Sequence, residues 1–537
     1  MSKPEHQRTA ARASSLDIAE EERRLLADKF VELAHDYFDR VADLPVFPRT
    51  TGEALAHEFD TAPPLESRAL NDIVADCRKI IEGIRHNGHP RFYGYVASPS
   101  TPPGAFADLL ASALNPSVTS WRSSPAATQI ERTVVRWLGS LIGYDNDAVG
   151  LLTSGGSMAN LTALLIAHRA KAEADVSQEG VGNSGKRMTM YVSDQVHMSI
   201  PKGADVLGLG QKSVRVIPTD DRFCLDVDAL RQAIEADRRN NLKPFCMVAS
   251  AGTAASGAVD PLAHMANVAR ENDLWFHIDG AYGAPAAMVD ECEPMFAGLE
   301  LADSVSLDPH KWLYTPVDCG CLLLRDAAAA RKPFVAEGEY VKVHETSESE
   351  SFAFWDYGIE LSRRFRALKV WMTLRYYGAR RVAEAIAEDM AMAKYLGERV
   401  EADPEFELLA PVQLSICCFR YVPARLRAQP ESATAPTGAQ ASRLHPGYNG
   451  NRDGRAPVRD EEPEQVESQI NHLNERIMHR VQRGGHAYLS NAMLRGKFAL
   501  RACIINFRTT RADIDLTLDV VRDAAREIET HDDEVVA

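Results

Sequence analysis

Between residue 16 and about residue 90, apolar side chains recur at three- and four-residue steps, as at Leu25, Leu26, Phe30, Leu33 and Tyr37. That spacing lines one face of a helix, so residues 16–90 predict a helical arm that packs on something else. From about 91 to 400 the pattern changes. Short runs rich in Val, Ile and Leu, at 149–152, 189–192, 214–217, 245–249, 274–278 and 321–324, are followed by longer segments of helical period. This predicts an α/β fold with a large, mainly parallel sheet covered on both faces.

Residues 401–537 read as a smaller α+β unit. Strands are expected at 413–419 and 498–504. Val466, Ile470, Leu473, Ile477 and Val481 form a helix face that stops at Gly484-Gly485. Residues 424–464 are rich in Pro, Gly, Ala, Arg and Glu and nearly free of large apolar groups. They are expected to form a disordered surface insertion, with 172–186 a shorter one of the same kind.

Composition removes several classes of partner. The 537-residue chain is 45% hydrophobic and 25% charged, with a net charge of −16 and no basic stripe, so no nucleic-acid partner is expected. No run approaches the ~18 apolar residues of a membrane span. Residues 1–15 are polar and lack the apolar core of a signal peptide, so no membrane partner is expected. The nine cysteines are scattered. Cys319 and Cys321, and the pair Cys417-Cys418, have neither zinc-ribbon nor redox spacing. They read as reduced core residues with no metal, which fits a cytoplasmic location.

The candidate chemistry lies at two successive strand ends. The run 274–278 is closed by Asp279-Gly280-Ala281-Tyr282, and the run 303–307 by Asp308-Pro309-His310-Lys311-Trp312. Alone, such a lysine is usually a solvated surface group, and such an aspartate a turn or cap. Together, in this order, they suit pyridoxal phosphate (PLP). The lysine forms the Schiff base, and the aspartate keeps the pyridine nitrogen protonated.

Three further segments fit around that pair. Thr153-Ser154-Gly155-Gly156-Ser157 joins a strand to a helix and offers free N–H groups and a positive dipole end to a phosphate, although a plain capping device reads the same way. It is not the P-loop pattern, because no Gly-Lys-Ser/Thr follows. His197 sits just past another strand, where it could lie flat on the pyridine ring or be a satisfied core histidine. The Thr253 hydroxyl, in Ser250-Ala251-Gly252-Thr253, could bond the phenolic oxygen of the cofactor or belong to a turn.

Read together, these segments resemble the group II PLP-dependent amino-acid decarboxylases, which include aromatic-L-amino-acid, glutamate, histidine and diaminobutyrate decarboxylases. The resemblance runs from about residue 17 to 529 outside 424–464. It is carried by His89-Pro90-Arg91-Phe92-Tyr93-Gly94, Ser124-Pro125-Ala126-Ala127-Thr128, Gly155-Gly156-Ser157-Met158-Ala159-Asn160, Ser193-Asp194-Gln195-Val196-His197, His277-Ile278-Asp279-Gly280-Ala281-Tyr282 and Asp308-Pro309-His310-Lys311-Trp312.

The resemblance implies the aspartate-aminotransferase-like fold (PLP fold type I) and a cofactor bound to Lys311. It implies Asp279 at the pyridine nitrogen, His197 stacked on the ring and Ala281 against its other face. Gly156, Ser157 and His310 would lie around the phosphate. It further implies a mobile loop at about 328–352 whose tyrosine, Tyr340 by spacing from Arg363-Arg364-Phe365, returns a proton to the substrate. Tyr95, Val96 and Thr119 fall at substrate positions.

Departures leave the substrate branch open. Ala254 stands where the family usually has a second Thr. Asn87, Val96 and Thr119 stand where the aromatic-substrate branch is aromatic, and His89-Pro90-Arg91-Phe92 is similar to the glutamate and diaminobutyrate branches. The expected activity is α-decarboxylation of an L-amino acid by a homodimer. The alternatives are an aldehyde synthase or carbon–carbon lyase of the same fold, and a catalytically silent scaffold paralogue.

Overall fold

The computed structural model describes residues 16–145, 147–183, 185–334, 350–427 and 463–536. Tyr340 and nearly all of the 424–464 insertion lie outside the described residues.

The arm comprises helices α1 (Glu20–Arg40), α2 (Gly52–Phe59) and α3 (Leu70–Gly83). Its apolar stripe is left uncovered within the chain: Leu25, Leu26, Phe30, Ile73 and Ile80 are all exposed. Helices α4 (Pro102–Leu114) and α5 (Pro125–Leu141) then lead into the large sheet.

That sheet contains β1 (Val149–Thr153), β2 (Met188–Ser193), β3 (Val214–Ile217), β4 (Lys243–Ser250), β5 (Trp275–Asp279), β6 (Ser304–Leu307) and β7 (Gly320–Leu324), in the order β1-β7-β6-β5-β4-β2-β3. The pairs β2/β3, β2/β4, β4/β5 and β5/β6 are parallel, and β7 runs antiparallel to both its neighbours. All residues of β2, β5, β6 and β7 are buried. Burial on both faces is why β7 reads as a continuous apolar run, while β6 alternates and its buried Ser304 and Ser306 are hydrogen-bonded inside.

A second core lies under a four-stranded antiparallel sheet of β8 (Phe406–Leu408), β9 (Ile416–Tyr421), β10 (Ser490–Leu494) and β11 (Lys497–Cys503), in the order β10-β11-β9-β8. The helix Pro463–Gly484 carries the expected apolar face, with Ile470, Leu473, Ile477 and Val481 buried.

Two expectations are corrected. Residues 172–183 are not a featureless insertion. A short helix, Val176–Glu179, forms there because Asp175 caps it (Ser177 N to Oδ1, 2.9 Å) and Val176 is buried. The strand expected from 413 starts at Ile416. The preceding residues are spent on docking against the large sheet: the Gln413 side chain accepts from Val259 N, and Ser415 N donates to the Tyr282 hydroxyl.

One buried ion pair fixes the end of β1 that faces the site. Arg363 Nη2 contacts Glu131 Oε1 (2.5 Å) and the Leu152 carbonyl (2.7 Å), while Leu152 N donates to Glu131 Oε1 (2.9 Å).

Candidate active site

Strands β5 and β6 lie side by side with Asp279 opposite Ser306. Their carboxyl ends therefore deliver Asp279 and, one turn further on, Lys311 to the same place. Lys311 sits in the one-turn helix Pro309–Trp312. Both side chains open into a cavity of about 600 Å³. This is where ligands collect in open α/β sheets, beyond the carboxyl ends of the strands.

Helix α6 (Gly156–Lys171) starts at the wall of this cavity. Its first N–H groups have no intrahelical acceptor. Gly156 is required by space: a Cβ there would lie 2.9 Å from both the Ala281 Cβ and Asp308 Oδ2. The cavity is thus lined at this end by bare backbone, the surface an oxyanion needs.

Asp279 is buried and bonded by neutral donors. Asn160 Nδ2 donates to Oδ2 (2.9 Å), and Ala281 N and the Ser306 hydroxyl donate to Oδ1 (both 3.2 Å). Asn160 is itself held by a chain of bonds with a fixed direction. The Trp275 indole can only donate, and it donates to Ser304 Oγ (2.9 Å). Asn160 spends Nδ2 on Asp279 and Ser199, so its Oδ1 accepts from His277 Nε2–H (3.0 Å), and the neutral ring then accepts at Nδ1 from the Ser304 hydroxyl (2.9 Å). Burial holds His277 down at about 4, so the ring is neutral in this role.

The same amide reaches His197. Asn160 Nδ2 also donates to Ser199 Oγ (3.0 Å), and Ser199 Oγ lies 2.8 Å from His197 Nδ1. With Ser199 N also pointing at Nδ1, that nitrogen is the acceptor and the proton sits on Nε2. Burial lowers the His197 pKa against the opposing pull of Asp279.

Lys311 Nζ lies 2.9 Å from Asp308 Oδ2. Burial opposes the lysine charge, but Asp308, with Asp279 adding, outweighs it and holds the ammonium above the ordinary lysine range. Asp308 is buried, and its Oδ1 has no hydrogen-bond partner among the described residues. His310 has Nδ1 2.7 Å from the Cys319 carbonyl oxygen and Nε2 3.8 Å from Asp308 Oδ2.

The residues expected to hold a cofactor meet in one place. Gly156, Ser157, His197 and Thr253 line the cavity, as do Asp279, Ala281, His310 and Lys311. Thr253 Oγ1 also accepts from Ala258 N (3.1 Å) within its own turn. Of the substrate positions, Tyr95 and Val96 line the cavity and Thr119 does not. The Thr119 hydroxyl donates to Ser123 (3.0 Å). Tyr340 lies outside the described residues. Among the described residues no group of three His, Cys, Asp or Glu side chains could hold a metal ion.

Sequence reasoning missed Asn160, Ser199, Ser304 and Asp308, and a contribution from the small sheet. Arg501 of β11 is buried in the cavity wall, where its Nη1 donates to the Tyr95 carbonyl (2.8 Å) and to Ser490 Oγ (3.1 Å). These bonds hold Tyr95 at φ 58°, an uncommon conformation for a bulky residue and one that concentrates at functional sites. One signal was present: Asn160 is a polar residue on a largely apolar, buried helix face.

The donor set fits pyridoxal phosphate. Lys311 offers an amine, Asp279 a carboxylate without a cation, His197 a flat ring, and the start of α6 a cradle that a Cβ would fill.

Comparisons with known proteins agree. Residues 53–422 match the family described as the pyridoxal-dependent decarboxylase conserved domain. An aromatic-L-amino-acid decarboxylase of Bacillus atrophaeus is 33% identical over 96% of this chain and 98% of its own. A 4-hydroxyphenylacetaldehyde synthase of Rhodiola rosea is 31% identical over 93% of this chain and 94% of its own. The crystal structure of Oryza sativa TDC with PLP and tryptamine superposes with a TM-score of 0.82 at 28% identity, covering 96% of this chain and 99% of that one. The chain belongs to the pyridoxal-dependent decarboxylases, carboxy-lyases of PLP fold type I that act on amino acids.

Proposed function

We propose that this enzyme removes the α-carboxylate of an L-amino acid and returns a proton to the same carbon, releasing the amine. The observation that carries the reading is the delivery of Lys311 and Asp279, from the ends of neighbouring strands, to one cavity. When bound, pyridoxal phosphate supplies the electron sink for the bond that breaks.

The roles of the chain's own residues follow from their surroundings. Lys311 Nζ is the attachment point. Asp279, whose partners are all neutral donors, keeps its negative charge free to hold a proton at the ring nitrogen. Asn160 and its chain back to Trp275 fix the aim of that carboxylate. His197, with Nδ1 occupied by Ser199, is kept in one orientation against the ring. Gly156, Ser157 and His310 would surround the phosphate, with Ala281 and Thr253 completing the wall of the cavity that they line together. Tyr95 and Val96, which line the same cavity, would face the substrate side chain.

Tyr340 is assigned the proton transfer to Cα, on its place in the sequence alone. Tyr340 also favours the amine over the aldehyde as product, since the aldehyde-forming branch tends to carry Phe at that position. The test is Tyr340→Phe, with CO₂ and amine measured on the same sample. CO₂ release should continue while amine per CO₂ falls and aldehyde appears under air. An unchanged ratio removes Tyr340 from the role.

The homodimer belongs to this reading. It is supported by the exposed apolar face of the arm and by Leu109, Leu110 and Leu114 on α4. A cytoplasmic location is supported by the cysteines, which are all free thiols.

A further inference from the structure

A second cavity, of about 260 Å³, lies where the arm meets the large core. Val317 lines both this cavity and the first. Ser98 lines the second and donates to the His310 carbonyl (3.3 Å), so the two are separated by the Lys311 segment itself.

Two arginines line it, and neither has a carboxylate partner among the described residues. Arg85 stacks over Phe92 and Tyr95 (4.7 and 4.9 Å to the ring centroids) and donates from Nε to Asn87 Oδ1 (3.1 Å). The Arg508 guanidinium lies 4.6 Å from the Phe507 ring centroid. Burial lowers the Arg508 pKa, and only the phenols of Tyr37 and Tyr377 oppose that. A desolvated cation without a counter-charge is costly to the fold. A third observation concerns Thr315. It lines the same cavity, only 2% of it is exposed, and its hydroxyl has no partner among the described residues. Ser98, Ser100 and Asn87 add polar groups.

We infer that this second cavity is a binding site for a small oxyanion, a carboxylate or phosphate group held by Arg508, Arg85 and the Thr315 hydroxyl. Guanidinium forks match such groups geometrically, and a hydroxyl that lacks a partner supplies the further donor. The volume admits one small acid group with its carrier and little more. The oxyanion could come from two sources: the far end of an acidic substrate reaching past Val317, or a free anion bound beside the substrate.

The test is calorimetric titration of the cofactor-loaded enzyme with inorganic phosphate and, separately, glutarate, at constant ionic strength. One saturable site per chain is expected. Arg508→Gln should weaken it about tenfold or more, the loss of one charge-assisted hydrogen bond. Thr315→Val should weaken it several-fold, and Arg231→Gln, from a surface pair with Glu271, should leave it unchanged. Should Arg508→Gln fail to fold, Arg508→Lys and Thr315→Val carry the same reading.

Absence of saturation overturns the site. So does saturation that Arg508→Gln and Thr315→Val leave intact, or equal weakening by Arg231→Gln. Steady-state kinetics separate the sources. An anion that raises KM and leaves kcat alone marks the pocket as the place of a substrate's distal acid group. An anion that binds equally well with substrate present marks a free-anion site. Both outcomes uphold the oxyanion site, and neither depends on the identity of the proton donor.

Discussion

Replacing Asp308 with Asn removes the carboxylate that sits 2.9 Å from the Lys311 ammonium. At an effective dielectric constant of about 20, unit charges at that distance attract by about 6 kcal/mol. Burial of Lys311 works in the opposite sense, and an amide keeps one weaker hydrogen bond, so only part of this attraction is lost on substitution. A residue of about 1.4 kcal/mol is enough to raise the neutral amine tenfold. The neutral amine is the nucleophile that attaches the cofactor. Asp308→Asn apoprotein should therefore attach pyridoxal phosphate at least about tenfold faster than the wild type near neutral pH. The wild-type rate should rise with pH, and the variant's rise should begin at lower pH. The assay is stopped-flow mixing of cofactor-free protein with pyridoxal phosphate, following the visible absorbance of the cofactor–lysine linkage. Lys311→Ala, which cannot form the linkage, gives the baseline. Attachment at the same rate and with the same pH profile in Asp308→Asn would show that Asp308 does not set the charge on Lys311.

Two further outcomes are expected. Burial pushes Asp389 up to about 7, outweighing hydrogen bonds from Tyr314, Trp312 and Asn506 N. The unfolded chain releases this proton near pH 4, so the folded state binds the extra proton over about pH 4–7, and stability from this group is lost as pH rises through that window. At about 1.4 kcal/mol per unit, the stability of wild type relative to Asp389→Asn should fall by about 4 kcal/mol across it, whatever the constant offset. Denaturant unfolding at several pH values checks this, and a pH-independent difference would refute it. Leu26→Glu with Phe30→Glu on the exposed arm face should convert a dimer to monomers in sedimentation at micromolar concentration. A wild-type protein that already sediments as a full-activity monomer would refute the dimer.

Much of this architecture is legible in the sequence because buried strands carry a strong local signal. Strand β3 forms at 214–217 as expected, and the bounds of the other expected runs of the large sheet move by at most two residues. Asp279 and Lys311 could be placed because each follows such a run. What the sequence could not show is which distant residues reach the same point. Arg501 lies in a strand of the small sheet and contacts Tyr95 some four hundred positions away. The chain from Trp275 through Ser304 and His277 to Asn160 depends on the β5/β6 register, which pairs His277 with Ser304. Asp308 read as the residue before a proline, and only the turn of the Pro309–Trp312 helix brings its carboxylate back onto Lys311. Strand β8, three residues long, is too short to show a period.

The two buried carboxylates beside Lys311 show how one site supports opposite charge requirements. Asp279 and Asp308 both line the cavity. Asp308 has a cation as its partner, the lysine itself. Asp279 has only neutral donors: an amide, a backbone N–H and a hydroxyl. A carboxylate satisfied by neutral hydrogen bonds stays ionised without spending its charge. It can therefore hold a proton on whatever basic nitrogen is placed opposite. A carboxylate paired with an amine neutralises that amine's charge and is neutralised by it. Exchanging the two environments would defeat both roles: Asp279 beside a permanent cation could not stabilise a second positive charge, and Lys311 without Asp308 would have only the weaker pull of Asp279 to set against burial. The division depends on Asn160, which meets Asp279 as a donor because His277 already holds the other end of its amide. That places the electrostatics of the site under the control of a neutral histidine buried two residues before Asp279 on the same strand.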